Sequence, residues 1–467
     1  MIDLRNLEKY RENNRIEAKK ALGGLPHSLW ETYSAFANTL GGLILLGVVE
    51  NKDKSLCAID LPDPEKLIRE FFELVNDPKK ASVNILSDKD VTVENVDSKR
   101  IVVIRVPRAD RACKPVYVEG DPQNSYRRNG EGDYKCTAEE LEAMYRDASA
   151  QTQDMLVLEK SGLEVFNSET LASYRQRMRE ARPGHVWNSL RDEEFLLKIG
   201  AAGIGEDSKP HPTRAGLLTF GNEYDVKNEF PHFSLVFREE QNPQSRTDGV
   251  FSSGNVYGFY FGVCGRLQSD PEVRCDASVA GALKEALTNC LVNADYCGRG
   301  GVEIVRKRGG ITLTNPGSFR IGIDEAKSGG FSDPRNGAMQ KIFNLIDIGE
   351  RTGSGIPNIF RVWREKKWAE PAFSQSFEPD RITLSLPFEK SGDKKDTLKP
   401  GGKRIFELQK ETVIEFLTDK AAAKTKEVAD SLGVSPQRAR AILSKLIAEG
   451  FVIADGKGRA RTYRMKW

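Results

Sequence analysis

Between Glu389 and Lys403 the sequence turns polar and rich in glycine and lysine, with KSGDKK and KPGGK close together. Such a stretch offers too little apolar surface to be ordered by a core. The chain is therefore divided there, with a linker at 389–403 and a compact module at 404–467. The longer portion in front exceeds what one core serves, since domains run to roughly 100–200 residues. Residues 1–150 alternate helical and strand patterns. Residues 151–270 hold helical pieces and apolar runs (Ala215 to Phe220, His232 to Phe237) and are read as a connecting region. Residues 271–388 carry a helix, a hairpin turning at Gly309-Gly310, glycine-rich loops and an alternating strand, Arg381 to Leu386. The expected class is an α+β multidomain protein.

The last module is the most legible. Thr425 to Leu432 has helical spacing, Gly433-Val434-Ser435 supplies a turn, and Pro436 begins a second helix running to Glu449. Ser before Pro suits an N-cap followed by the first helical position. Phe451 to Ile453 and Thr462 to Met465 then read as strands around Asp455-Gly456-Lys457-Gly458-Arg459. This is a winged helix-turn-helix. Its second helix would present Gln437, Arg438 and Lys445 to a major groove, with Lys457, Arg459 and Arg461 making the wing basic. The same fold also serves dimerisation without touching DNA.

Net charge is only +2, so a surface for a polyanion must come from local segregation of charge. The seven cysteines are scattered and never spaced C-x-x-C, which predicts reduced thiols and no structural zinc. The charged N-terminus lacks an apolar signal region, and no run reaches the ~18 apolar residues of a membrane span. A cytoplasmic protein without membrane contact is the expectation.

Near the N-terminus stand Glu12, Glu17 and Lys19, with Glu50 just past the run GGLILLGVV. A spacing of five puts Glu12 and Glu17 about 140° apart on a helix and on opposite faces of a strand. They converge only if the chain bends between them, for which Asn13-Asn14 is suited; beyond the bend, Glu17 and Lys19 share one face of an extended segment. Carboxylates around Mg2+ or Mn2+ beside a lysine are the equipment of phosphodiester cleavage. They are also ordinary solvated charges in a charge-rich chain.

A second set lies on the helix Val279 to Tyr296. Glu285, Asn289 and Asn293 recur every four residues on one stripe, against an apolar side that includes Leu283, Leu287 and Leu291. Such a stripe suits a metal-phosphate site, with Asn289 holding the ion and Glu285 positioning water, and equally suits a wet helix face. Asn315-Pro316-Gly317 closes the next hairpin, and Gly349 to Gly355, including Arg351, Gly353, Ser354 and Gly355, leads into a helix. Glycine-rich backbone there can meet phosphate. No Walker A sequence is present.

E-x4-E-x-K, followed by L-P-x-S-L-W-E-T-Y-S-A-F-A-N-T-L-G-G-L-I-L-L-G-V-V-E, resembles the Schlafen/AlbA-type domain over about the first 150 residues. The strand Ser125-Tyr126-Arg127-Arg128 and the helix start Thr137-x-Glu-Glu are its later landmarks. The resemblance implies nucleic-acid binding, with Arg127 and Arg128 as candidate contacts. In RNases of that family three acids do the cutting, which would here be Glu12, Glu17 and Glu50. Glu50 stands where Asp is usual, and Ala18 replaces an aromatic residue.

E-A-L-T-N-C-L-V-N-A-D-Y, N-P-G, S-D-P-R-N and G-E-R-T-G-S-G-I-P-N-I resemble the divergent GHKL-type ATPase domain that follows Schlafen/AlbA domains. The resemblance implies an α/β sandwich, ATP as ligand, Glu285 as base and Asn289 as metal ligand, with Asn315 nearest the adenine-reading position. Together the two resemblances imply a metal-dependent RNase acting on tRNA-like RNA, gated by ATP, in antiviral or stress defence and as a homo-oligomer. The other reading is an ATP-binding winged-helix transcriptional regulator of DNA without nuclease activity.

Overall fold

The structure is a computed structural model that describes residues 4–240, 249–349, 353–377 and 379–390, and toward the C-terminus 410, 413–414, 416–417, 420, 422–432, 436–448, 451–456 and 462–465. The chain forms two compact units, Met1–Ser391 and Gly392–Trp467.

The first unit begins with a four-stranded sheet in the order Ile16–Lys19, Gly42–Leu46, Lys99–Val106, Val91–Val96. Its first pair is parallel and the others antiparallel. The helix Ser28–Asn38 packs on it through Leu29, Tyr33, Phe36 and Ala37, all at 0% exposure. The conspicuous A-F-A-N-T-L-G-G run is explained by packing. Asn38 Nδ2 donates to the carbonyls of Val116 and Tyr126 at 2.9 and 3.0 Å, and its Oδ1 accepts from Val116 N at 2.8 Å. One buried amide thus ties a loop and a strand to the helix, with both its oxygen and its nitrogen matched. Gly41 has φ +74°, and a Cβ there would lie 2.8 Å from the backbone at Arg108 and Val106. Only glycine meets both demands.

Residues 151–270 are not a connector. A single hydrophobic core runs from Val165 to Phe388, joining Tyr174, Phe220 and Phe259 to Leu283, Phe343 and Trp363. The run read at His232 to Phe237 becomes the strand Leu235–Glu240, which pairs in parallel with Val302–Lys307. These are inner strands of a six-stranded sheet in the order Val250–Ser252, Leu235–Glu240, Val302–Lys307, Gly310–Pro316, Asp380–Pro387, Ala372–Phe377. The second apolar run is the buried helix Arg214–Phe220. The expected hairpin turns at 308–309 between two of these strands.

The second unit has the helices Thr425–Leu432 and Pro436–Ala448 and a three-stranded sheet in the order Ala423–Lys424, Thr462–Met465, Val452–Asp455. Val428, Ile442, Leu443, Leu446 and Tyr463 fill its core. This is the winged-helix arrangement. The linker, except for residues 389–390, lies outside the described residues. Among the described residues, no helix is long and apolar enough to cross a membrane.

Tyr174 tests the shared core. It is wholly buried, its ring meets Phe220 edge-on at 4.9 Å, and its hydroxyl donates to the Ile342 carbonyl at 2.7 Å. Tyr174→Ala should cost about 3–5 kcal/mol, as for other buried aromatic truncations, in denaturant unfolding of the full chain. A loss under ~1 kcal/mol would show that 151–270 is not integral to this core.

Candidate functional site

The N-terminal acids do gather. Asn13 N donates to the Ile16 carbonyl at 3.1 Å, and the chain turns through Asn14 and Arg15 before entering the strand Ile16–Lys19. Glu12 comes back alongside that strand, its Oε1 accepting from Ala18 N at 3.0 Å. Burial raises the Glu12 pKa; the Ala18 N–H opposes this, and the negative charges of Glu17 and Glu50 add to the rise. Glu17 and Lys19 share a face and pair at 2.7 Å.

Glu17 is already fully engaged. Its other oxygen takes Arg128 at 2.7 Å, and Arg128 also pairs with Asp133 at 2.9 Å, donates to the Asn13 carbonyl at 2.8 Å and lies over the Phe36 ring. Among the described residues, no group of three His, Cys, Asp or Glu could hold a metal ion. In this arrangement Glu17 is held by two cations, Lys19 and Arg128, rather than sharing an ion with Glu12 and Glu50.

Arg128 is also no surface contact for nucleic acid. It is 2% exposed, and although burial opposes its charge, Asp133 and Glu17 raise its pKa. Arg127 is likewise turned inward, its Nε 2.8 Å from Glu140. Glu140 in turn caps Thr137 at the start of the helix Ala138–Ala148, with Thr137 N donating to its Oε2 at 2.7 Å.

In the six-stranded domain the helix Ala277–Val292 turns its polar stripe into a cavity, so the stripe is not a wet face. Glu285, Asn289, Asn293 and Asn315 line that cavity together with Gly353 and Gly355. Asn289 Nδ2 donates to Glu285 Oε1 at 3.2 Å, and Asn293 Nδ2 to the Asn289 carbonyl at 2.9 Å. Asn315, 5% exposed, donates to the Pro316 carbonyl at 3.2 Å. A Cβ on Gly355 would stand 1.9 Å from Glu285 Oε1, so the glycine lets the loop lie against the carboxylate. The cavity holds about 110 Å³. That is below the roughly 300 Å³ at which small-molecule sites begin, so a whole nucleotide requires its walls to part. Gly317 and Ser354 do not line it, and Arg351 lies outside the described residues.

The bonds that join this cavity to the N-terminal domain leave no local mark in the sequence. Arg335, 7% exposed, sends Nε and Nη2 to the two oxygens of Asp147 at 2.9 and 2.7 Å. It also donates to the carbonyls of Asn293 at 2.6 Å and Ser318 at 3.0 Å. Burial raises the Asp147 carboxyl, but Arg335, Arg320 and Arg146 outweigh it and hold the pKa low. Arg111–Asp333 at 2.5 Å and Arg146–Asp295 at 3.1 Å cross the same seam. Arg335 was visible only as part of S-D-P-R-N, and its partner lies 188 residues away.

In the winged helix, Ser444 and Lys445 are exposed while Ile442, Leu443 and Leu446 are buried, so Lys445 is on the outer face. Gln437 and Arg438 lie in the first turn of the helix Pro436–Ala448. Lys457, Arg459 and Arg461 lie outside the described residues.

Comparison with known proteins matches the family "Schlafen, AlbA_2" over residues 12–137 and a domain of unknown function over 142–236. The family "Putative ATP-dependent DNA helicase recG C-terminal" matches 300–384, and "FaeA-like protein" matches 409–463. No curated protein matches. Among solved structures, the N-terminal domain of a "Putative ATP-dependent DNA Helicase RecG-related Protein" from Nitrosomonas europaea is 33% identical, covering 30% of this chain and 96% of that one, with a TM-score of 0.24. The DIP2311 protein from Corynebacterium diphtheriae is 16% identical over 97% of this chain and 95% of that one, with a TM-score of 0.42.

Removing Arg128 leaves Glu17 and Asp133 buried without it. Arg128→Met should therefore cost about 3–5 kcal/mol, as breaking a buried ion pair does. Denaturant unfolding of the full chain measures it, and an unchanged midpoint would return Arg128 to the list of nucleic-acid contacts.

Proposed function

We propose that this chain, which joins a Schlafen, AlbA_2 domain to a RecG-like C-terminal domain and a FaeA-like winged helix, is a nucleotide-responsive nucleic-acid-binding regulator. The observation that carries the reading is Arg335. A single buried guanidinium holds the end of the cavity helix through Asn293, the post-hairpin loop through Ser318 and the N-terminal domain through Asp147. A ligand that parts the cavity walls at Asn293 or Ser318 would strain these bonds.

ATP is the ligand this reading assigns to the opened cavity. Glu285 and Asn289 would meet its Mg2+-bound phosphates, Asn315 can both accept from and donate to an adenine edge, and Gly353 and Gly355 leave backbone close to the cavity. Bound ATP supplies the charge that separates two states of the seam. RNA or DNA is held by the Schlafen-type domain and the winged helix, whose Lys445 is outward.

Cleavage of RNA at Glu12, Glu17 and Glu50 is a second reading, favoured by the turn at Asn13-Asn14 that brings Glu12 alongside the strand of Glu17. It requires Glu17 to exchange Lys19 and Arg128 for Mg2+ or Mn2+. Degradation of total tRNA by the purified protein, lost in Glu17→Ala, would establish it; intact RNA under every metal condition would remove it.

The regulator reading is tested by fluorescence anisotropy with duplex DNA and tRNA, with and without ATP. Asn289→Ala should weaken ATP binding about tenfold or more, roughly 1.4 kcal/mol, and abolish the ATP effect on nucleic-acid affinity. Asp147→Asn should keep ATP binding and lose only that effect. If ATP fails to bind, or if Asp147→Asn responds like the parent, the seam does not transmit the signal.

A further inference from the structure

The seam also encloses a cleft of about 540 Å³. This lies inside the roughly 300–1,000 Å³ of small-molecule sites, at the kind of domain boundary where they gather. It shares only Ser318, Phe319 and Arg320 with the cavity of Glu285 and Asn289.

Two cations on its walls differ from the rest. Every arginine lining it except Arg108 is ion-paired to a carboxylate. Arg108 donates only to the Phe319 carbonyl, and Lys114 only to the Asn38 carbonyl at 2.7 Å; among the described residues neither has a carboxylate partner. The two come from one short segment and act on each other. Burial, then the charge of Arg108, pushes the Lys114 ammonium down to about 7, against the weaker pull of Asp147, Asp380 and Cys136. Of the nearby carboxyls, Asp147 is bonded to Arg335, and Asp380, which burial pushes up to about 6, makes no ion pair with either cation among the described residues.

We propose that the cleft binds a phosphomonoester of nucleotide size, its phosphate lying between Lys114 and Arg108. An ammonium and a guanidinium provide several donors and the opposite charge, and each charge-assisted bond is stronger than a neutral one. Met144 and Phe377 on the same walls give apolar surface for the rest of the molecule. The phosphate belongs either to a free nucleotide or to the phosphorylated end of an RNA, and the chemistry of recognition is the same. The proposal does not depend on ATP binding at Asn289.

The test is calorimetry on the full chain with AMP, with an RNA trinucleotide carrying a 5′-phosphate, and with its 5′-hydroxyl twin. At least one phosphorylated probe should bind and the hydroxyl twin should not. Lys114→Met should weaken binding about tenfold or more, Lys114→Arg should restore most of it, and Asn289→Ala should leave it within about threefold of the parent. Binding of AMP identifies a free nucleotide; binding of the RNA alone identifies a nucleic-acid end. The proposal is overturned if neither phosphorylated probe binds, if Lys114→Met binds as tightly as the parent, or if Asn289→Ala is the variant that loses binding. Should Lys114→Met melt below the parent, Arg108→Ala carries the same expectation and the same contrary outcome.

Discussion

A guanidinium buried to 7% exposure cannot stay charged without compensation, and the first unit is arranged around providing it for Arg335. Asp147 supplies both carboxylate oxygens from the helix Ala138–Ala148, and the carbonyls of Asn293 and Ser318 take further donors. Asn336, next in sequence, donates to the carbonyls of Val292 and Ala294 at 3.2 and 2.8 Å and fixes the end of the cavity helix. Two adjacent residues thus decide where the polar stripe stops and where the N-terminal domain sits. The geometry is demanding because the pair is worth little if loosely made.

Legibility followed the range of the interactions. The helices Thr425–Leu432 and Pro436–Ala448 and the hairpin near Gly309 were readable because periodicity, caps and turn residues are local. The parallel pairing of Leu235–Glu240 with Val302–Lys307 leaves no mark in either segment alone, and so residues 151–270 looked like a connector. The Glu12–Glu17 approach was readable from the turn at Asn13-Asn14, whereas the capture of Glu17 by Arg128, 111 residues away, was not. The stripe Glu285, Asn289, Asn293 was found by spacing, but whether it faced solvent or a cavity depended on elements far along the chain.

The residues that carry the family likeness divide into two kinds. Asn38 and Gly41 hold backbone together, Arg128 and Asp133 neutralise the strand edge, and Thr137 with Glu140 caps a helix. These are demands of packing, and any protein with this domain must meet them whatever it binds. The cavity residues, and at the seam Arg108 and Lys114, which bond only backbone carbonyls, line open space instead. They are where ligand chemistry can differ between proteins of the same architecture.

The parallel pair inside the six-stranded sheet has a consequence for synthesis. The N-terminal sheet and its helices close over their own core, within the first 118 residues to leave the ribosome. The strand Leu235–Glu240 then waits, with one edge unpaired, until Val302–Lys307 has emerged. At translation rates of about 5–20 residues per second that delay lasts several seconds, during which an apolar edge is open to other chains. Translation speed across this interval therefore bears on how much of the protein reaches its folded state.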